Sequence, residues 1–169
     1  DEANFTSERE VVKEERRVRV ENEPYGYIEE DLRAAAFTVH GYHHTAIGSM
    51  DDLNKATLAD VRDFFNTFYK PNNATLIIVG DFQSRQALEW INEYFSGIPA
   101  SKKPIPRLDR PEPPQTAERT VKKSYSNTPL PAVVIGYKVP ARYAPDAYPL
   151  DLASNILAGG ESSRLYQTL

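Results

Sequence analysis

Cysteine is absent from the 169 residues, so disulfides, thiolate-held zinc, iron–sulfur clusters and a thiol nucleophile are all excluded. The redox compartment stays open. No apolar run is long enough to cross a bilayer, and the first residues are polar and acidic rather than signal-like. A large excess of either charge is missing too. The 20 basic side chains stand against 24 acidic ones, and a net charge of −4 argues against nucleic acid as the main partner. Histidine is scarce, with only His40, His43 and His44 present. His40 and His44 have the spacing of a helical ligand pair, but Gly41 and the turn-like setting speak for a loop, and no His-x-x-Glu-His occurs.

What is present is ordinary for a globular chain: 40% apolar and 26% charged residues, enough for one domain or for pieces of two. Asp1 looks like a cut end, and the closing run Ser162 to Leu169 is helix-like without a stop signal. Both features predict a piece of a longer protein.

Ser7 with Glu10 fits a capping box and opens a helix that runs to Asn22, where Pro24 and Gly26 break it. Further helices are expected over 27–39, 57–69 (opened by a Thr57/Asp60 capping box), from Ser84 to about Phe95, and over 146–158 up to Gly159-Gly160. The almost continuously apolar stretch from Ala74 to Asp81 predicts a buried strand, and Arg119 to Ser126 and Ala132 to Val139 predict two more. Strand and helix in alternation imply an α/β layered fold, helices packed on a mainly antiparallel sheet. Six prolines between Pro99 and Pro114 mark an extended linker. The expected division is therefore a first α/β domain ending at 98, a linker over 99–117, and the start of a second domain over 118–169.

On a helical wheel Val11 and Val18 of the first helix nearly coincide, and Glu8, Glu15 and Asn22 fall within roughly 60° of Val11. Glu10 and Glu14 point elsewhere. Two carboxylates on an apolar stripe need a partner, because burying them unpaired is expensive. An arginine is the ordinary partner, and a metal ion is the other. The wheel alone favours the arginine.

The run Glu8-Arg9-Glu10-Val11-Val12-Lys13-Glu14-Glu15-Arg16 resembles the helix that supplies the third zinc ligand in the pitrilysin/insulinase family, the M16 metallopeptidases. His40-Gly41-Tyr42, Ile47-Gly48, Asp52-Leu53, Phe64 to Tyr69, Pro71-Asn72-Asn73-Ala74 and Val79-Gly80-Asp81-Phe82 follow that family's order. Leu157-Ala158-Gly159-Gly160-Glu161-Ser162-Ser163-Arg164-Leu165 resembles the helix and glycine turn of its second domain. The resemblance spans nearly the whole chain through several short motifs rather than one strong one.

The resemblance implies a zinc endopeptidase that cuts peptides or unfolded polypeptides, with zinc held by two histidines of an inverted His-x-x-Glu-His helix and by a glutamate from a later helix. Glu15 matches that glutamate as metal ligand. Glu8, seven residues earlier, matches a second acidic position that supports catalysis from outside the ligand set. The histidines and the general base would stand before Asp1, so these residues alone would be inactive and would not hold zinc. The alternatives are a non-catalytic family subunit that partners or scaffolds an active peptidase, and a plain peptide-binding module using an edge near 74–81. A homo- or hetero-dimer with another such subunit is the implied assembly, and a bacterial periplasm or cytoplasm the implied compartment.

Overall fold

The structure, a computed structural model, describes residues 1–169. The chain divides into two units, Asp1–Pro129 and Leu130–Leu169.

The first unit opens with helix α1, Glu2–Arg16. It starts earlier than the Ser7 motif predicts, because the Asp1 carboxylate accepts the Asn4 N–H at 2.9 Å and caps the helix first. Ser7 and Glu10 lie inside it, and Glu10 instead takes the Lys13 ammonium at 2.7 Å. Arg17–Glu21 continues as a π-helix, closed by Asn22 N–H donating to the Arg17 carbonyl at 2.8 Å. The chain then reverses so tightly that a Cβ on Gly26 would meet the Val20 carbonyl oxygen at 2.3 Å, and only glycine fits.

Helix α2, Ile28–Ala36, carries Glu29, Glu30 and Asp31 in its first turn, where the helix dipole favours anions. Helix α3, Met50–Lys55, is capped by Ser49, whose hydroxyl accepts the Asp52 N–H at 3.1 Å. Helix α4, Leu58–Phe68, has the full reciprocal box: Asp60 N–H to Thr57 Oγ1 at 3.2 Å, and Thr57 N–H to Asp60 Oδ2 at 2.9 Å. The Thr57 hydroxyl, donating to Asp60 Oδ2 at 2.6 Å, and then the Thr57 N–H hold the Asp60 carboxyl below its usual range. Helix α5, Ser84–Phe95, takes Ser84 as its first residue rather than as its cap.

The α/β sheet expected from the sequence is overturned, since the architecture is helical and holds no strand. The segments 74–81, 119–126 and 132–139 lie outside every helix and form no β-ladder. An apolar run specifies a strand only when a neighbouring backbone lies alongside it in a hydrogen-bonded ladder, and no ladder forms here. Accordingly Ile77 is 77% and Val79 90% exposed.

The proline-rich stretch is tied back onto the first unit by polar contacts. Ser101 N–H donates to Asn72 Oδ1 at 2.9 Å and Arg107 Nη2 to Asn73 Oδ1 at 2.6 Å. The Glu112 carboxylate accepts the consecutive N–H groups of Thr38, Val39 and His40, at 2.8 to 3.0 Å, and the Thr38 hydroxyl at 2.8 Å. Burial by itself would raise that carboxyl, but this nest of donors outweighs it and holds the group well below the usual carboxylate range. Arg119 donates to the Ala35 carbonyl at 2.9 Å, a cation on the last turn of α2. Tyr125 stacks on Tyr27 with ring centroids 4.6 Å apart and donates its hydroxyl to Asp31 at 2.7 Å. Burial and that carboxylate push its phenol up to about 12. Asn127 closes the series on the Glu21 and Glu23 carbonyls, both at 3.1 Å.

The second unit consists of an extended lead-in, helix α6, Ala147–Ala158, and helix α7, Arg164–Thr168, which packs on α6. The turn between them needs Gly160, whose φ of +78° is a left-handed conformation. No helix of the chain is long and apolar enough to cross a membrane.

Candidate functional site

Helix α1 has two flanks of opposite character. One carries Phe5, Arg9, Val12, Lys13, Arg16 and Val20 and faces the rest of the unit, all six being buried or half-buried. Arg9 sits over the Phe5 ring at 5.2 Å and donates to the Ala56 carbonyl at 3.2 Å, fastening α1 where α3 ends. The other flank carries Glu8, Val11, Glu15 and Val18. Val11 is 58% and Val18 55% exposed, and Glu8 is exposed as well.

The sequence-predicted site residues therefore share one face, as the wheel requires, but that face is uncovered. Glu15 pairs with Arg19 four residues on, Oε1 to Nη1 at 2.7 Å, with its side chain 41% exposed. That is the arginine pairing the wheel alone favours. Such an exposed i,i+4 pair is worth about 0.3–0.5 kcal/mol, so it offers little resistance to a stronger partner. His40, His43 and His44 do not join the carboxylates. His40 Nδ1 accepts the Tyr42 N–H at 3.1 Å, and His43 Nδ1 contacts the Phe37 carbonyl at 2.6 Å, both local loop contacts.

The fit of zinc to these residues is partial. Glu15 presents a hard oxygen donor on an open face, suited to one position of a nitrogen- and oxygen-ligated zinc. No group of three or more His, Asp or Glu residues is arranged to hold a metal ion.

Sequence reasoning missed the buried polar anchor of α1, Arg16. Arg16, only 6% exposed, forks onto Glu30: one nitrogen contacts Oε1 and Nη2 donates to Oε2 at 3.0 Å. Its Nη1 also donates to the Gly48 carbonyl at 2.8 Å, and Thr45 Oγ1 reaches Glu30 Oε1 at 3.3 Å. The Glu30 carboxylate raises the guanidinium further above its ordinary value. A signal was available, since positions 5, 9, 12, 16 and 20 keep helical spacing and place two arginines within an otherwise apolar stripe.

Comparison with known proteins gives the family. Residues 55–169 match the family model described as the Peptidase M16 inactive domain. The zinc protease PqqE of Helicobacter pylori is 38% identical over 169 residues, 99% of this chain and 38% of that protein. The probable zinc protease PqqL of Escherichia coli is 45% identical over 56 residues, 33% of this chain and 6% of that protein. The crystal structure of a protease from Helicobacter pylori superposes with a TM-score of 0.82 at 35% identity, covering 100% of this chain and 41% of that one. The chain belongs to the M16 peptidase family. It spans about two-fifths of the length of the Helicobacter relatives, and α1, with Glu8 and Glu15, precedes the residues that the family model matches.

Proposed function

We propose that the chain is part of a zinc-dependent endopeptidase that hydrolyses peptides or unfolded polypeptides, with Glu15 as the carboxylate ligand of the metal and Glu8 as its supporting neighbour. The observation that carries this reading is the orientation of α1. The helix spends its packed flank on Arg9, Lys13 and Arg16 and leaves Glu8, Val11, Glu15 and Val18 facing outward together. Bound zinc would polarise the scissile carbonyl and acidify the attacking water. Glu15 would supply negative charge and one fixed oxygen. Val11 and Val18 would border it with apolar surface that lowers the local dielectric once covered. The histidine pair and the general base would come from outside these residues, as would the wall opposite α1. On this reading residues 1–98 close the first domain of the peptidase and 118–169 open the second.

The test is Glu15→Gln in the full-length protein with bound zinc measured by elemental analysis. Loss of stoichiometric zinc with an unchanged fold supports the assignment, and wild-type zinc content refutes it.

A second reading is a non-catalytic subunit that pairs with an active peptidase, favoured by the match of residues 55–169 to the domain described as inactive. Full-length wild-type protein that binds no zinc, yet assembles with a peptidase-active partner, would establish it.

A further inference from the structure

Arg16 follows Glu15 directly, yet one points into the unit and the other out of it. We propose that Arg16 is a positioning residue for the Glu15 carboxylate: its fork on Glu30 and its bond to the Gly48 carbonyl set the rotation of α1 about its own axis. This rests on the reading of Glu15 as a metal ligand.

A metal site demands that rotation be set closely. Side chains reach about 5–6 Å from a helix axis, so a 10° roll of α1 displaces the Glu15 oxygens by about 1 Å. Metal–ligand distances tolerate about 0.2 Å. Nothing on the outward flank supplies such control, because the Arg19 partner of Glu15 is itself 73% exposed. The restraint has to come from the packed flank, and there Arg16 makes the bonds that are both buried and directional. Glu30 binds both ends of the guanidinium fork, which fixes its plane as well as its position. Gly48, at φ +72°, turns its carbonyl onto the same nitrogen at 2.8 Å.

The π-helix that begins one residue later completes the clamp. In a regular α-helix Glu21 would lie about 140° around the axis from Arg16. The wider π turn brings Glu21 Oε1 to 3.6 Å from Arg16 Nε, the one nitrogen of the guanidinium left without a hydrogen bond. The buried cation thus faces carboxylates from α2 and from its own helix, and α1 cannot roll without breaking the fork.

The experiment uses the full-length protein, stripped of metal and reloaded. Zinc affinity is read by competition with a chromogenic chelator, and ligand geometry by the visible spectrum of the cobalt(II) form. Arg16→Met and Glu30→Gln should weaken zinc by about 10- to 100-fold, the usual effect of losing a residue that orients a ligand, and should alter the cobalt spectrum. Arg16→Lys keeps the charge but loses the fork, and falls between them and the wild type. Arg9→Met, two turns earlier on the same flank, lowers the melting temperature but leaves zinc affinity and the cobalt spectrum as they were. If Arg16→Met does not fold, Glu30→Gln and Arg16→Lys carry the test. Wild-type zinc affinity and cobalt spectrum in those variants overturn the proposal, as does an Arg9→Met that weakens zinc equally. Glu15→Gln measured alongside separates the two readings. If it binds zinc normally, the ligand assignment fails and the inference with it. If it loses zinc while the Arg16 and Glu30 variants do not, the inference alone fails.

Discussion

The two flanks of α1 reverse the usual partition of charge and apolar surface. The inward flank buries Lys13 and Arg16, at 8% and 6% exposure, while the outward flank shows Val11 and Val18 to solvent. Ala87, at 8% exposure, is the only buried apolar residue, and no side chain is sealed from solvent completely. Cohesion in the first unit therefore comes from directional bonds between α1, α2 and the proline-rich stretch, rather than from a sealed core. The difference between the flanks teaches how to read exposure here. The cations of the inward flank are bonded, whereas the outward flank shows its valines to solvent beside a Glu15 paired with Arg19.

Substitutions that empty each flank in turn would break or sharpen that contrast. The largest effect falls on the inward side. Arg16→Met strands the half-buried Glu30 carboxylate and should destabilise the first unit by about 2–4 kcal/mol, slightly less than a fully buried pair because Glu30 keeps some solvent. Urea denaturation checks this, and a loss under 1 kcal/mol would mean that the fork contributes little net stability.

The segment after α5 is the next lever, since Glu112 bonds the residues that follow α2 and Tyr125 bonds its first turn. Glu112 titrates below its ordinary value of 4.5, so its hold is complete above that pH and is lost as pH falls beneath it. Tyr125 works at the other extreme: with its phenol raised from 10.0 to about 12, its contribution is complete below pH 10 and disappears as pH rises toward 12. The amide resonances of Thr38, Val39 and His40 should move together in the acid limb, and Glu112→Gln should abolish that movement. Resonances that titrate the same way in the variant would detach Glu112 from the nest.

The smallest effect belongs to the outward flank. Val18→Ser should lower the unfolding free energy of the chain by no more than about 0.5 kcal/mol. A loss above 1.5 kcal/mol would show that the flank is packed after all.

The features legible in the sequence were those determined within one helical turn. Thr57 and Asp60 make their box from residues three apart, so the pattern alone located the start of α4. That Glu8 and Glu15 share one face is equally readable, because it follows from helical period. Which flank would be covered was not. That depends on Glu30 and Gly48, 14 and 32 residues from Arg16, and no local pattern announces them. The start of α1 was misplaced because Ser7-x-x-Glu10 is a valid cap that loses to Asp1. The strands failed for a different reason: residues 74–81 have a strand's composition, but composition does not supply a pairing partner. In the same way six prolines dictate an extended path, while Glu112 and Tyr125 decide where that path lies.

The π turn after Arg16 has one more consequence. A π turn holds one residue more than the α turn it replaces, so Arg17–Glu21 amounts to an inserted residue that the helix absorbs without unravelling. Removing one residue there would restore regular winding while leaving Glu15 and Arg16 in register with everything before them. The acidic face and the reversal at Gly26 are therefore joined by an adjustable length of chain, and an insertion or deletion there changes the route to α2 without changing the alignment of Glu8 and Glu15.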